Sequence, residues 1–149
     1  MPLQTQDPYN LNRFVEAQAA NYQQALSELR AGKKRSHWSW YVLPQVRGLG
    51  FSAMSVRYAI SGLAEARAYL EHPVLGPRLL DCVGAMSAHR GNSAAAILGD
   101  IDAKKFHSCL TLFAQVAGTG SPFQRALDQY FGGVADGATL AILAGRGDQ

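Results

Sequence analysis

The sequence predicts a mainly α, compact single-domain helical fold with at most a minor β element, and three observations carry that expectation. Apolar residues recur with a 3.6-residue period over several long spans, the pattern of helices that bury one face. No span alternates apolar and polar residues between hairpin turns, so a large sheet has no source. A chain of 149 residues, 48% from the AVILMFWYC set and only 17% charged, can build one substantial core and is too apolar for a disordered segment.

Each element has its own signal. Residues 1–8 hold little apolar content and read as a flexible N-terminal arm, with 9–149 as the globular domain. Asn10 or Asn12 is placed to cap a long helix near 12–30, whose stripe runs Leu11, Phe14, Val15, Ala19, Tyr22, Ala25, Leu26 and Leu29. Gly32 ends it, and Lys33, Lys34 and Arg35 follow where a helix C-terminus favours positive charge. From His37 to Phe51 the aromatics, Pro44, Gly48 and Gly50 break any period, leaving a short turn of helix or strand and then a loop. Ser61 can cap a short helix through Leu70, stopped by His72-Pro73. A helix near 75–89, with Pro77 in its first turn and closed by Gly91, buries Leu79, Leu80, Val83 and Met86. Asn92 or Ser93 caps an Ala-rich turn ending at Gly99. Asp100 or Asp102 then caps a long helix near 103–117 with Phe106, Cys109, Leu110, Phe113, Ala114 and Ala117 on one face. Ser121-Pro122 supplies the cap and first-turn proline of a helix through Phe131, and Asp136 begins a last short helix through Leu143.

Several classes of function are excluded early. The longest apolar runs, such as Ala94 to Leu98, fall far short of the ~18 residues of a membrane span. No cation and no apolar h-region precede Arg13, so the expected location is the cytoplasm, where Cys82 and Cys109 would stay reduced and unbridged. His37, His72, His89 and His107 form no HxxxH pair and neither cysteine has a partner at zinc-knuckle spacing, so no metal or other cofactor is expected. Ser108 and Cys109 fall mid-helix, not on the strained turn of a nucleophile.

The most informative asymmetry is electrostatic. No acidic residue lies between Glu28 and Glu65, yet Arg30, Lys33, Lys34, Arg35, Arg47 and Arg57 do, together with Trp38, Trp40, Tyr41, Phe51 and Tyr58. Cations among aromatics suit a phosphorylated aromatic ligand, whose base stacks while its phosphates find donors. The alternative is that the aromatics are core and the cations merely complement the helix end. A nucleic-acid groove is disfavoured because the cations are not spread along the chain. Of the 11 carboxylates, Asp100 and Asp102 stand at a helix start, where one can cap and the other remain available for chemistry.

The stretches DPYNLNRFVEAQ (7–18), GKKRSHWSWYVLPQVRGLG (32–50), EARAYLEHPVLGPRLL (65–80), GDIDAKKFHSCLTLFAQV (99–116) and the final FGGVADGATLAIL resemble the bacterial family known as domain of unknown function 1810. The likeness spans nearly the whole chain in order, with Ser39 standing where methionine is more usual and Cys109 where serine is. The resemblance implies a fold of the YbiA-like or NADAR group, associated with ADP-ribose-type ligands and N-glycosidic bond cleavage. The signature glutamate helix of NADAR proteins has no clear counterpart here.

Together these readings predict an N-glycosidase acting on a nucleotide sugar or ADP-ribose adduct. Asp102 is the candidate catalytic carboxylate, with Lys105 beside it at i+3. Trp38, Trp40 and Tyr41 would wall the base, and Arg35 and Arg47 would hold phosphate. A non-catalytic nucleotide or ADP-ribose reader, or an interaction module, are the competing expectations.

Overall fold

The structure is a computed structural model that describes residues 7–145. Its long helices rest on the periodic stripes: α1 (Asn12–Ala31), α5 (Leu75–Ser87) and α7 (Asp100–Ala117). Six shorter ones complete it among the described residues: α2 (Ser39–Val42), α3 (Ala53–Arg57), α4 (Leu63–Glu71), α6 (Ala94–Leu98), α8 (Pro122–Phe131) and α9 (Gly137–Gly145). Helix α7 is the hub, packing against α4, α6, α8 and α9, while α1 packs on α2 and α5. The α7 stripe predicts this, since Phe106, Cys109, Leu110 and Phe113 are fully buried. The sole β feature among the described residues is a parallel bridge between Val46 and Ile60, in which Arg47 N–H donates to Ile60 O and Ile60 N–H to Gln45 O, each at 2.8 Å.

Several local expectations are corrected. Neither Asn10 nor Asn12 caps α1; the Asp7 carboxylate accepts from the backbone N–H groups of Leu11 (2.7 Å) and Asn12 (2.9 Å). Residues 1–6 of the expected arm lie outside the described residues. Along α1, Ala19 is exposed and Gln18 is buried in its place, donating to Tyr41 O (2.7 Å) and Tyr69 Oη (3.2 Å). Gln18 is admitted to the core because its amide is satisfied there. Ser61 does not cap α4 with its hydroxyl; Glu65 reaches back to accept from Ser61 N–H at 2.9 Å and pairs with Arg13 at the same distance. Leu80 points outward, 42% exposed, because the helix turns Leu79 and Val83 to the core instead. Asp100 and Asp102 lie within the first turn of α7, whose N-cap is Gly99 without a side-chain cap. Helix α5 stops at Ser87, before Gly91, with Ala88 still in right-handed geometry. Helix α3, capped by the Ser52 hydroxyl, is too short to carry a periodic stripe.

Other local signals hold. Gly32 takes φ +77° to end α1, and Ser93 and Ser121 cap α6 and α8 through their hydroxyls. Gly76 lets α5 close on α4, since a β-carbon there would stand 2.1 Å from Leu70 O. Cys82 and Cys109 are buried and unbridged. Burial pushes the Cys82 thiol up to about 12 and the Cys109 thiol up as well, so neither offers a thiolate nucleophile. No helix among the described residues is long and apolar enough to cross a membrane.

Candidate functional site

The aromatic run that follows α1 is held in place by one carboxylate. Glu28 is 4% exposed and its Oε1 accepts from Arg35 N–H (2.8 Å), Ser36 N–H (3.1 Å) and Trp38 Nε1–H (2.9 Å). Its Oε2 accepts from Gln24 Nε2 (2.7 Å) and from the Ser36 hydroxyl. Burial raises its pKa, yet the bonds from Ser36, Gln24, Arg35 and Trp38 together hold it well below the usual carboxylate range. Segment 33–38 is thereby fixed against the end of α1, and Lys34 N–H donates to Ile97 O (2.8 Å) at the end of α6.

Lys34 then reaches α7. Its ammonium lies 2.8 Å from Asp102 Oδ2, donates to Ser36 O and sits 4.9 Å from the centre of the Trp38 ring. On the other carboxylate oxygen, Lys105 Nζ stands 3.7 Å from Oδ1 and 4.9 Å from the centre of the Trp40 ring. These residues line a cleft of about 220 Å³, completed by His37, Ser39 and Ile101. Ile101 and Lys105 form the sill to a second, more open groove of about 510 Å³, edged by Gln45, Leu49, Lys104, His107, Ser108 and Asp136. In that groove His107 Nε2 donates to Val134 O (2.7 Å) and its ring stacks on Phe131 with centroids 4.1 Å apart. Asp136 Oδ2 is taken up by Thr139 N–H (3.1 Å), the Thr139 hydroxyl (2.6 Å) and the Ser108 hydroxyl (3.3 Å), so Asp136 caps α9.

The structure therefore brings four of the expected residues, Trp38, Trp40, Asp102 and Lys105, to one cleft and places the other three elsewhere. Trp38 is almost wholly buried with its N–H spent on Glu28 and the Lys34 ammonium over its ring, so little of it is open to the cleft, while Trp40 offers a half-buried ring. Tyr41 turns toward α1, where Asn21 Nδ2 donates to its hydroxyl (2.6 Å) and Tyr58 meets it edge to face. Arg35 is exposed outside the cleft, its backbone N–H committed to Glu28. Arg47 lies beyond Trp40, over a hollow of about 20 Å³ with room for little more than one water. It also borders a surface hollow of about 300 Å³ beside Arg13, whose guanidinium is consumed by Tyr9, Asn10, Arg57 and Ala59 carbonyls and by Glu65. Sequence reasoning missed Lys34, His37, Ser39 and Ile101 as members of the cleft. Lys34 lies in a basic run that also suits a helix end, and its partner Asp102 is remote in the chain, so only the fold reveals the pair. Among the described residues no group of three or more His, Cys, Asp or Glu side chains could hold a metal.

The comparisons with known proteins bear on the whole chain. The profile of the family described as "Protein of unknown function (DUF1810)" matches residues 8–143. The crystal structure of the conserved hypothetical protein Rv1873 from Mycobacterium tuberculosis is similar, at 49% identity and a TM-score of 0.90, covering 93% of this chain and 99% of that one. No curated protein matches.

Proposed function

The chain belongs to the DUF1810 family, a family described without an activity, and from the site itself we propose that the cleft between α2 and α7 binds a nucleotide sugar or ADP-ribose adduct and hydrolyses its N-glycosidic bond. The observation that carries this reading is the division of labour on Asp102, which lines the cleft with Trp40, Lys34 and Lys105: Lys34 holds Oδ2 at 2.8 Å while Lys105 stands 3.7 Å from Oδ1, beyond an ordinary hydrogen bond. Aromatic, cation and carboxylate in one concavity are what a phosphorylated sugar with a base requires. The reaction class is the one that the resemblance read from the sequence implies, that of the YbiA-like and NADAR proteins.

In this reading the base lies against Trp40, and Lys105 and Lys104 meet phosphate along the sill to the open groove. The bond from the anomeric carbon to nitrogen breaks with its electron pair leaving on nitrogen. Asp102 Oδ1 stabilises the positive charge that develops on the sugar and orients water, which adds its hydroxyl to the carbon as its proton passes to the leaving nitrogen. Tyr41, Arg35 and Arg47, outside the cleft, take no part. The cytoplasm suits such a chain, since its two buried thiols stay reduced there.

A second reading, a non-catalytic reader of the same ligand, is favoured by the 2.8 Å pair with Lys34, which already offsets much of the charge on Asp102. Calorimetry with ADP-ribose, and product analysis over a panel of N-glycosides, separate the two. The expected result is binding, with hydrolysis lost in Asp102→Asn and affinity nearly kept, because the charge matters only where positive charge develops. Tight binding without turnover of any panel member supports the reader, and absence of binding rejects both.

A further inference from the structure

Among the described residues, Ser39 is the only buried side chain whose polar atom has no hydrogen-bond partner. The residue is 2% exposed, and it lines the same cleft as Asp102, Lys105 and Trp40. A buried hydroxyl left without a partner is costly, and folded proteins rarely keep one. Other hydroxyls of the molecule show the contrast: Ser36 donates to Glu28, Ser108 to Lys104 O and Thr111 to His107 O. We infer that the Ser39 hydroxyl is a specificity-determining contact of the cleft, held for a sugar hydroxyl of the ligand; this rests on the reading of the cleft as a nucleotide-sugar site.

The charges around it select the partner. An anionic oxygen can accept from Ser39 but has no proton to give Asp102, while an ammonium can donate to Asp102 but cannot accept from Ser39. A neutral hydroxyl does both. It exchanges a bond with Ser39 and donates to Asp102 Oδ1, and adjacent hydroxyls of a ribose supply two such groups side by side. Phosphate then stays at the lysine-lined sill, and the sugar enters the cleft.

The test compares AMP with 2′-deoxy-AMP, and ADP-ribose, by calorimetry on the parent, Ser39→Ala and the nearly isosteric Ser39→Cys. The parent should prefer AMP to its deoxy form by about three- to tenfold, the worth of one hydrogen bond. Both variants should lose that preference and bind ADP-ribose about three- to tenfold more weakly. Without ligand both should melt at or above the parent temperature, since the hydroxyl they remove has no partner in the free protein, whereas a structural serine would lower it. If the parent binds and both variants keep its affinity and preference, the inference falls and the reading of the site stands. If the parent binds no nucleotide, both fall.

Discussion

Glu28 and Asp102 approach the same aromatic run from two different helices and are equipped differently. Glu28, at the end of α1, accepts five hydrogen bonds and is closed to solvent. Asp102, at the start of α7, meets two ammonium groups, one close and one at 3.7 Å, and its side chain stays 18% exposed. A fully satisfied carboxylate has nothing left to offer a ligand and serves as scaffold. A cleft-lining carboxylate with one oxygen secured and the other only loosely paired is positioned and still available. The contrast distinguishes the floor of the site from its working face, and each prediction below acts on one side of it.

The largest effect is expected on the scaffold side. Glu28→Gln removes acceptor capacity beneath four donor residues and should cost about 3 kcal/mol, roughly 6–12 °C in Tm. Thermal melting checks it, and a change under about 2 °C would mean that segment 33–38 is held by other contacts. The same residue sets an acid dependence. Its folded pKa lies below the ordinary value of 4.5, so its stabilisation is complete above about that pH and is lost as pH falls toward the folded value. Below pH 4.5 the parent should therefore lose stability faster than Glu28→Gln. Parallel curves would show that Glu28 titrates alike in the folded and unfolded chains.

The same contrast explains what could be read before the fold was known. Helices α1, α5 and α7 were legible because their burial repeats every turn and needs no knowledge of the partner, as Phe14, Tyr22, Leu26 and Leu29 illustrate. The aromatic run was legible as a site candidate, since cations without acids mark it locally. Its internal order was not, because Trp38 becomes core only through Glu28 and Tyr41 is turned away by Asn21, contacts that no spacing encodes. Asp102 was legible as one of a pair at a helix start, but that it pairs with Lys34 and lines the cleft instead of capping α7 is a property of the fold. Ser39 is marked in the sequence only as a departure from the methionine more usual there, which does not reveal its unpartnered hydroxyl, a property of its surroundings alone.

Intermediate effects are expected on the working face. Asp102→Asn leaves the Lys34 ammonium, only 6% exposed at its side chain, facing a neutral amide and should cost about 2 kcal/mol. Lys34→Met leaves Asp102 with Lys105 and some solvent, and about 1 kcal/mol is expected. Denaturant melts of both single variants and the double variant measure the coupling, which should be favourable and exceed about 0.5 kcal/mol. Additive losses would mean that the 2.8 Å pair does not hold Asp102 in place, and the contrast with Glu28 would lose its footing.

The smallest effect on stability, and the most discriminating, is expected from Lys105→Ala. The ammonium is 3.7 Å from Asp102 Oδ1, beyond an ordinary hydrogen bond, its side chain is 20% exposed, and its other neighbour is the face of Trp40. A partly buried i,i+3 pair at 3.7 Å and a cation over a ring at 4.9 Å each contribute only a few tenths of a kcal/mol, so the loss should be about 0.5 kcal/mol, roughly 1–2 °C in Tm. Ligand binding should respond more strongly, because Lys105 borders both the cleft and the open groove and a phosphate reaching it meets a partly solvated charge. ADP-ribose affinity should fall about tenfold, and its decline between 50 and 300 mM salt should become shallower, since one screened charge contact is gone. Lys105→Arg should retain both the affinity and the salt response. Calorimetry at two salt concentrations beside thermal melting decides the matter: a large fall in Tm with unchanged affinity would place Lys105 on the scaffold side with Glu28, leaving the working face without its phosphate contact.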